Sequence, residues 1–426
     1  MKKILVKKAI PPDGGWGWLI CLGCSLITLS LRSLDPSFGL LFGDLLQDLK
    51  VDSTRTSMIM SILDANINFS GLFIGFLLRK YSYRKVAFLG SILNTTGLIL
   101  TSQANSLTHI ILTYSILGGL GSGLALASSF VAMNSFFLKK RGQALGFSMA
   151  GTTLGMMLMP QLVHLLLNIY GFRGTTLIIG AISFHSLTSE NLDATSKENE
   201  PLIKETKKQE NIQISLDLLS NLTFLNIMIG LSLFYAADTN FKLFTPFFLS
   251  SIGMEKKEVA FCLSLTAFMD ILARLVLPTL CDKLGFKKRY IFWISSLFIG
   301  LGRSVFAEGS NDTFLLVVLV IIGFIRGASI VNLNLTISES CSLEMLPHAF
   351  GIFMIFKGTL VILISPLVGY VRDIADSYEI CIHLMTGLIF LSFIIWGVEF
   401  FYKKVNLFLE KRRNFSGLNK NYRTFY

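Results

Sequence analysis

The sequence predicts an all-α membrane protein with twelve transmembrane helices, the sixth of them short. Three observations lead there. Of 426 residues, 52% are hydrophobic and only 15% charged, and mean hydropathy is +0.62; a soluble domain carries about a quarter charged residues. Apolar runs long enough for a hydrocarbon core, which needs about 20 residues per helix, recur along the chain. The basic residues collect on alternate connections between those runs.

In chain order the runs fall near 16–34, 57–78, 86–101, 107–137, 142–169, 175–187, 222–249, 258–281, 290–307, 313–337, 347–371 and 380–402. The sixth is the weak one. Thr175 to Leu187 supplies 13 residues before polar Thr188-Ser189-Glu190, a reach of about 20 Å against a core of about 30 Å. Helix can continue through the polar stretch if protein covers it or the bilayer thins. The first run is long and has no small-residue cleavage site, so a cleavable signal peptide is not expected.

Orientation follows from the charges. Lys2, Lys3, Lys7 and Lys8 precede span one, Arg79, Lys80, Arg84 and Lys85 follow span two, and Lys139, Lys140 and Arg141 follow span four. Lys283, Lys287, Lys288 and Arg289 follow span eight, and seven more Lys/Arg follow span twelve. The opposite loops hold only Lys50, Arg55, Arg173, Lys256, Lys257 and Arg372. The positive-inside rule then places both termini in the cytoplasm. The formal charge of +11 is thus topological, and nothing supports a nucleic-acid partner.

Residues 188–217 form the one extended polar segment, rich in Ser, Asn, Glu and Lys, a composition that reads as a disordered linker. It divides the chain into a tail (1–15), a six-helix bundle (16–187), the linker (188–217), a second six-helix bundle (218–402) and a cytoplasmic tail (403–426). Short basic turns at 77–85 and 280–289 occupy equivalent positions in the two halves, as in transporters built from repeats.

The most specific string is Pro11-Pro12-Asp13-Gly14-Gly15-Trp16-Gly17-Trp18, where the basic tail meets span one. Prolines stop helix from extending backwards, and Asp13 suits the positive end of the helix that follows. Gly14, Gly15 and Gly17 permit close backbone approach, while Trp16 and Trp18 suit a membrane interface. At the start of span five, Phe136-Phe137-Leu138-Lys139-Lys140-Arg141-Gly142-Gln143-Ala144-Leu145-Gly146-Phe147-Ser148-Met149-Ala150-Gly151 leads from an aromatic-basic loop into a helix. Its small residues Gly142, Gly146 and Gly151 suit tight packing. Both strings resemble the signatures of the monocarboxylate transporter family of the major facilitator superfamily, although a family tyrosine is replaced by Phe136 or Phe137. The resemblance covers roughly 11–180 and 220–400. It implies a major facilitator fold, with two six-helix bundles rocking about a central cavity in the plasma membrane.

Charges within apolar runs mark where mechanism belongs, since each costs about 2.5–3.5 kcal/mol at a helix centre. Arg32, Asp35, Asp64, Asp238, Lys242, Asp270, Arg274, Arg303, Arg326, Glu339 and Lys357 lie within or at the edge of such runs. Asp238/Lys242 and Asp270/Arg274 have the i,i+4 spacing that puts both members on one helix face. Arginine stays protonated and can grip a carboxylate with two parallel N–H groups, so Asp270 is the natural competitor of an anion for Arg274. Phe268-Met269-Asp270-Ile271-Leu272-Ala273-Arg274 is also similar to the family's span-eight motif, whose Asp and Arg serve proton coupling and anion binding. One departure stands out. The lysine that proton-linked members carry late in span one is absent: Pro36 stands there, beside Asp35, with Arg32 one turn earlier. Arg32 supplies a cation but does not release its proton. Lys357 in span eleven is the alternative cation.

These residues point to a transporter of small organic anions, monocarboxylates first, with proton symport left open. The alternatives are facilitated diffusion of another solute, such as an amino acid derivative or aromatic hormone, and a transport-inactive sensor or scaffold. No Walker loop and no nucleophile–base arrangement supports ATP-driven transport or an enzyme. The cysteines have no His or carboxylate beside them to complete a metal site, so no metal or cofactor is expected. The resemblance further implies contact with membrane lipid and a single-span immunoglobulin-type glycoprotein as ancillary partner, on the side of the sixth span.

Overall fold

The computed structural model describes residues 14–137, 141–183, 218–284, 287–341 and 345–422. The predicted linker, Asp13, Lys139 and residues 184–187 of the predicted sixth span lie outside these, as do the side chains of Trp16 and Arg141.

The described chain is a helical bundle. Its helices are α1 (Trp16–Arg32), α2 (Phe38–Asp48), α3 (Ser53–Lys80), α4 (Tyr83–Thr101), α5 (Leu107–Ile110), α6 (Gly119–Phe136) and α7 (Arg141–Ser183). There follow α8 (Leu222–Ser251), α9 (Lys256–Leu284), α10 (Lys288–Ala307), α11 (Asp312–Ser340), α12 (Leu346–Ala375) and α13 (Tyr378–Tyr422). A π-helical stretch, Ile111–Gly118, joins α5 to α6. Among the described residues, nine helical stretches are long and apolar enough to cross a membrane.

The first span departs from its predicted end at residue 34. α1 stops at Arg32, a short 3₁₀ turn covers Asp35–Ser37, and α2 carries the same apolar stretch on to Asp48. Pro36 explains the break, because its ring removes the amide that would bond one turn back. The start of α1 follows the signature string: Gly15 precedes the helix at φ 56°, ψ −123°, backbone that a residue without Cβ adopts readily. Gly17 lets the helix rest on Phe137, and Trp18 packs edge-on against Phe137 with ring centroids 5.1 Å apart. Gly151 lies against the Ser25 backbone of α1, as its small size predicts, while a Cβ at Gly146 would meet nothing within 4 Å among the described residues.

α7 bends at Gly171 (φ 62°, ψ −172°), and its second leg turns back beside α4. Gly180 meets Ile99 there, and the Ser183 hydroxyl lies 2.9 Å from that of Thr95. Ser183 is buried at the level of Ser30, midway along the first span. At its other end α13 continues well past residue 402 as helix.

Helices preceding residue 184 pack mainly on one another, α1 on α6 and α7, and α4 on α6. Those after residue 217 do likewise, α8 on α13, and α11 on both α9 and α10. Two long seams join the sets, α3 with α12 and α7 with α9. Where α3 begins, the Asp373 carboxylate of α12 accepts the main-chain N–H groups of Ser53 and Thr54, each at 2.8 Å. Lys256 of α9 pairs with Asp44 of α2 at 2.6 Å, a further contact between the two sets.

Candidate functional site

Two groups of buried charges occupy the middle of the bundle. The first forms at the break in span one. Arg32, at the last turn of α1, bonds Asp35 through Nε at 3.0 Å and Asp64 of α3 through a terminal nitrogen at 3.0 Å. Its other terminal nitrogen donates to the Tyr235 hydroxyl of α8 at 3.0 Å, and that hydroxyl donates in turn to Asp64 at 2.9 Å. Asn68, one turn along α3, donates to the Asp64 main-chain carbonyl at 2.7 Å. Lys357 of α12 stands over the Tyr235 ring, 4.2 Å from its centroid. The group therefore spans both sets of helices, with Tyr235 at its centre.

The second group is confined to α8–α11. Asp270 and Arg274 form the expected helical pair in a two-bond grip, Nε and a terminal nitrogen each at 2.9 Å from a carboxylate oxygen. Asp238 and Lys242 pair as their spacing predicts, at 3.3 Å. What joins the two pairs is Arg326 of α11. It bonds Asp270 at 2.6 Å and both oxygens of Asp238 at 2.9 and 3.0 Å. Arg303 of α10 completes the network, 2.7 Å from Asp238, with its guanidinium 4.1 Å over the Phe241 ring. Asp238, Asp270 and Arg303 are almost inaccessible.

The approach of α11 to α9 that makes this network has a local cause. Gly323 and Gly327 are four residues apart on one face of α11, the small-residue spacing that lets membrane helices touch backbone to backbone. A Cβ at Gly327 would lie 2.5 Å from the Asp270 carbonyl, and one at Gly323 would collide with the Thr266 carbonyl. Arg326 sits between those contacts.

Every charge singled out in the sequence falls into one of these groups except Glu339, which lies at a helix end and accepts the Lys288 main-chain N–H at 3.2 Å. Tyr235 carries no charge and gave no signal in the sequence. The Gly323–Gly327 spacing was a signal, and it points to Arg326. A void of ≈ 10 Å³, about the size of one water, lies between Arg32, Asp35 and Asp64 on one side and Lys242 and Thr239 on the other. Asp270 and Arg274 do not line it. Lys242 thus connects the void to the second group.

The groups differ in charge. Arg32 and Lys357 face Asp35 and Asp64, which balances. Among the described residues, Lys242, Arg274, Arg303 and Arg326 pair directly with Asp238 and Asp270, a formal excess of two cations, with Lys242 also facing Asp35 across the void. Among the described residues no cluster of His, Cys, Asp and Glu could hold a metal ion.

An all-helical membrane bundle with a polar centre of this kind defines a multi-pass membrane transporter. The Major Facilitator Superfamily model matches residues 19–366. Monocarboxylate transporter 13 of Rattus norvegicus is 27% identical over 379 residues, covering 88% of this chain and 86% of that protein. Monocarboxylate transporter 12 of Xenopus laevis is 25% identical over 411 residues, 90% of this chain and 89% of its own. Monocarboxylate transporter 2 of Rattus norvegicus is 26% identical over 405 residues, with 90% and 82% covered. The chain belongs to the Major Facilitator Superfamily, and within it is similar to monocarboxylate transporters over most of its length. It is a transporter and not an enzyme.

Proposed function

We propose that this protein carries small organic anions, monocarboxylates among them, across the plasma membrane by alternating access. The observation that carries the reading is the formal excess of two cations in the second group. Burying a charge is costly unless it is paired, so a surplus of two cations is a standing demand for anions. The names of the relatives support the same solute class.

In this scheme the helices before the linker and those after it are the two rocking bodies, with both termini cytoplasmic. Arg274 is the fork for a carboxylate, and Asp270 occupies it while no substrate is there. A proton reaching Asp270 would weaken its hold on Arg274 and Arg326 together, which is the route by which proton coupling would enter. Arg32, Lys242 and Lys357 surround the path, and Asp35 and Asp64 balance Arg32 and Lys357 when it is empty.

Uptake of labelled monocarboxylates into proteoliposomes, with and without an inward pH gradient, tests this. Arg274→Lys keeps the charge but loses the planar fork, and flux is expected to fall at least tenfold, about 1.4 kcal/mol, with the same amount of protein reconstituted. Asp270→Asn is expected to remove any dependence on the gradient. Wild-type flux in Arg274→Lys would overturn the binding role, and intact pH dependence in Asp270→Asn the coupling role.

A further inference from the structure

We propose a second ligand site, apart from the buried charges, that takes the phosphate-bearing headgroup of an anionic glycerophospholipid. It is a groove of ≈ 870 Å³ lined by the starts of α8 and α10, the end of α11 and residues 397–404 midway along α13. By the alternation of the helices, all four of those stretches lie toward the face from which the C-terminal segment leaves. The groove therefore sits where lipid headgroups meet that face.

Its chemistry is that of a built anion site with an apolar flank. Lys287, Arg289, Lys403 and Lys404 line it, with Glu339 the one carboxylate in the lining. Arg289 is fixed in place. Both its terminal nitrogens bond Glu399, at 3.1 and 2.7 Å, and its guanidinium lies 4.8 Å over Trp396 and 4.7 Å over Phe400. Lys403 bonds the same carboxylate at 2.7 Å and the Thr223 hydroxyl at 3.0 Å, and Asn226 donates to Glu399 as well. Glu399 is thus spent on two of the cations. Lys287 and Lys404 make no ion pair among the described residues, and they face the groove with charge to give. The first turn of α8, whose N–H end is positive, closes one side at Asn221 and Thr223.

The flank decides between a lipid and a soluble phosphate. Tyr290, Trp293, Phe400 and Phe401 line the same groove, and Phe401 is 72% exposed. Aromatic rings at this depth suit the headgroup–acyl boundary, and basic pockets between membrane helices take anionic headgroups. A freely soluble phosphate would use the cations and leave the exposed ring of Phe401 in water.

The test is retention of lipid by the purified full-length chain, measured by native mass spectrometry after exchange into vesicles of phosphatidylcholine with or without phosphatidylserine. Wild type is expected to retain phosphatidylserine over phosphatidylcholine. Lys287→Gln with Lys404→Gln should weaken that retention about fivefold for each lysine, about twenty-five-fold for both, while Lys287→Arg with Lys404→Arg should retain it. Equal retention of the two lipids by wild type would overturn the proposal, and so would unchanged preference in the double Gln variant. Displacement of phosphatidylserine by an equal concentration of inorganic phosphate would also overturn it, by assigning the groove to a soluble anion.

Discussion

The two buried charge groups lie within one bundle yet are built on opposite plans. The group around Arg32 is balanced, forms where a helix breaks, and draws its members from α1, α3, α8 and α12. The group around Asp238 has a formal excess of two cations, sits on four consecutive helices and is buried except where Lys242 lines the void. Under the rocking motion proposed above, the contacts of Tyr235 and Lys357 to the first group must break and reform, while Arg32, Asp35 and Asp64 stay together in one body. The second can travel as a unit. On the first side the hydrogen bonds remade in each cycle are those of the uncharged Tyr235 hydroxyl, and the ion pairs of Arg32 are kept. A fixed attractor for anions needs surplus charge, which the second group has.

The sharpest way to break this contrast is at Asp238. It is the sole carboxylate on Arg303 and one of two on Arg326, so Asp238→Ala leaves a fully buried guanidinium unpaired. Removing one partner of a buried pair costs about 3–5 kcal/mol. Thermal unfolding in detergent is expected to show a large loss, with low surface abundance. Adding Arg303→Met to Asp238→Ala should recover part of it, because Arg326 keeps Asp270 as partner and Lys242 alone is left without its carboxylate. A stable Asp238→Ala protein would mean that the network is not the rigid element described.

The balanced group should respond less. Tyr235→Phe removes one hydroxyl that accepts from Arg32 and donates to Asp64, but Arg32 keeps its bonds to both Asp35 and Asp64. A hydrogen bond to a charged group is worth about 1.5–3 kcal/mol, and the partial exposure of Arg32 and Asp35 places the loss at the low end. The effect is expected in flux more than in melting temperature, since this hydroxyl ties the two sets of helices together. A variant that melted several degrees lower with wild-type flux per molecule would make Tyr235 a packing residue and nothing more.

Much of this arrangement was legible in the sequence, and the failures share a cause. Helical spacing exposed Asp238/Lys242 and Asp270/Arg274, because an i,i+4 pair is decided within one helix. The partners of Asp238 on α10 and α11 stand 65 and 88 residues away, and no local rule connects them. The extension of the first span to Asp48 was hidden because Pro36 and two charges look like an end. At that point the protein tolerates a broken helix inside the bundle, where other helices satisfy the freed groups. Gly146 and Gly151 look alike in sequence, yet among the described residues only Gly151 meets a neighbour. Which face of α7 turns toward α1 is fixed by packing, and spacing alone did not give it.

The smallest expected effect on stability lies at the far end of the same interface. Asp373 caps the first turn of α3 from another helix, taking N–H groups that α3 cannot satisfy itself. A carboxylate there also meets the positive end of the helix. The site is solvent-exposed, so the gain is screened, and a surface contact of this sort contributes under about 1 kcal/mol. Yet it joins α12 to α3, as the Lys256–Asp44 pair joins α9 to α2, at the end opposite the C-terminal segment. Asp373→Asn is therefore expected to leave melting nearly unchanged while shifting the balance between conformations toward opening at this end. A single cysteine in place of Met60, beside the void, would report it as faster labelling by a membrane-impermeant reagent added from that side. Two small increments are expected to add, so Asp373→Asn with Lys256→Gln should label faster than either change alone. If both variants labelled at the rate of the unmodified interface, these contacts would hold helix ends together without governing access, and the balanced group alone would set which way the protein faces.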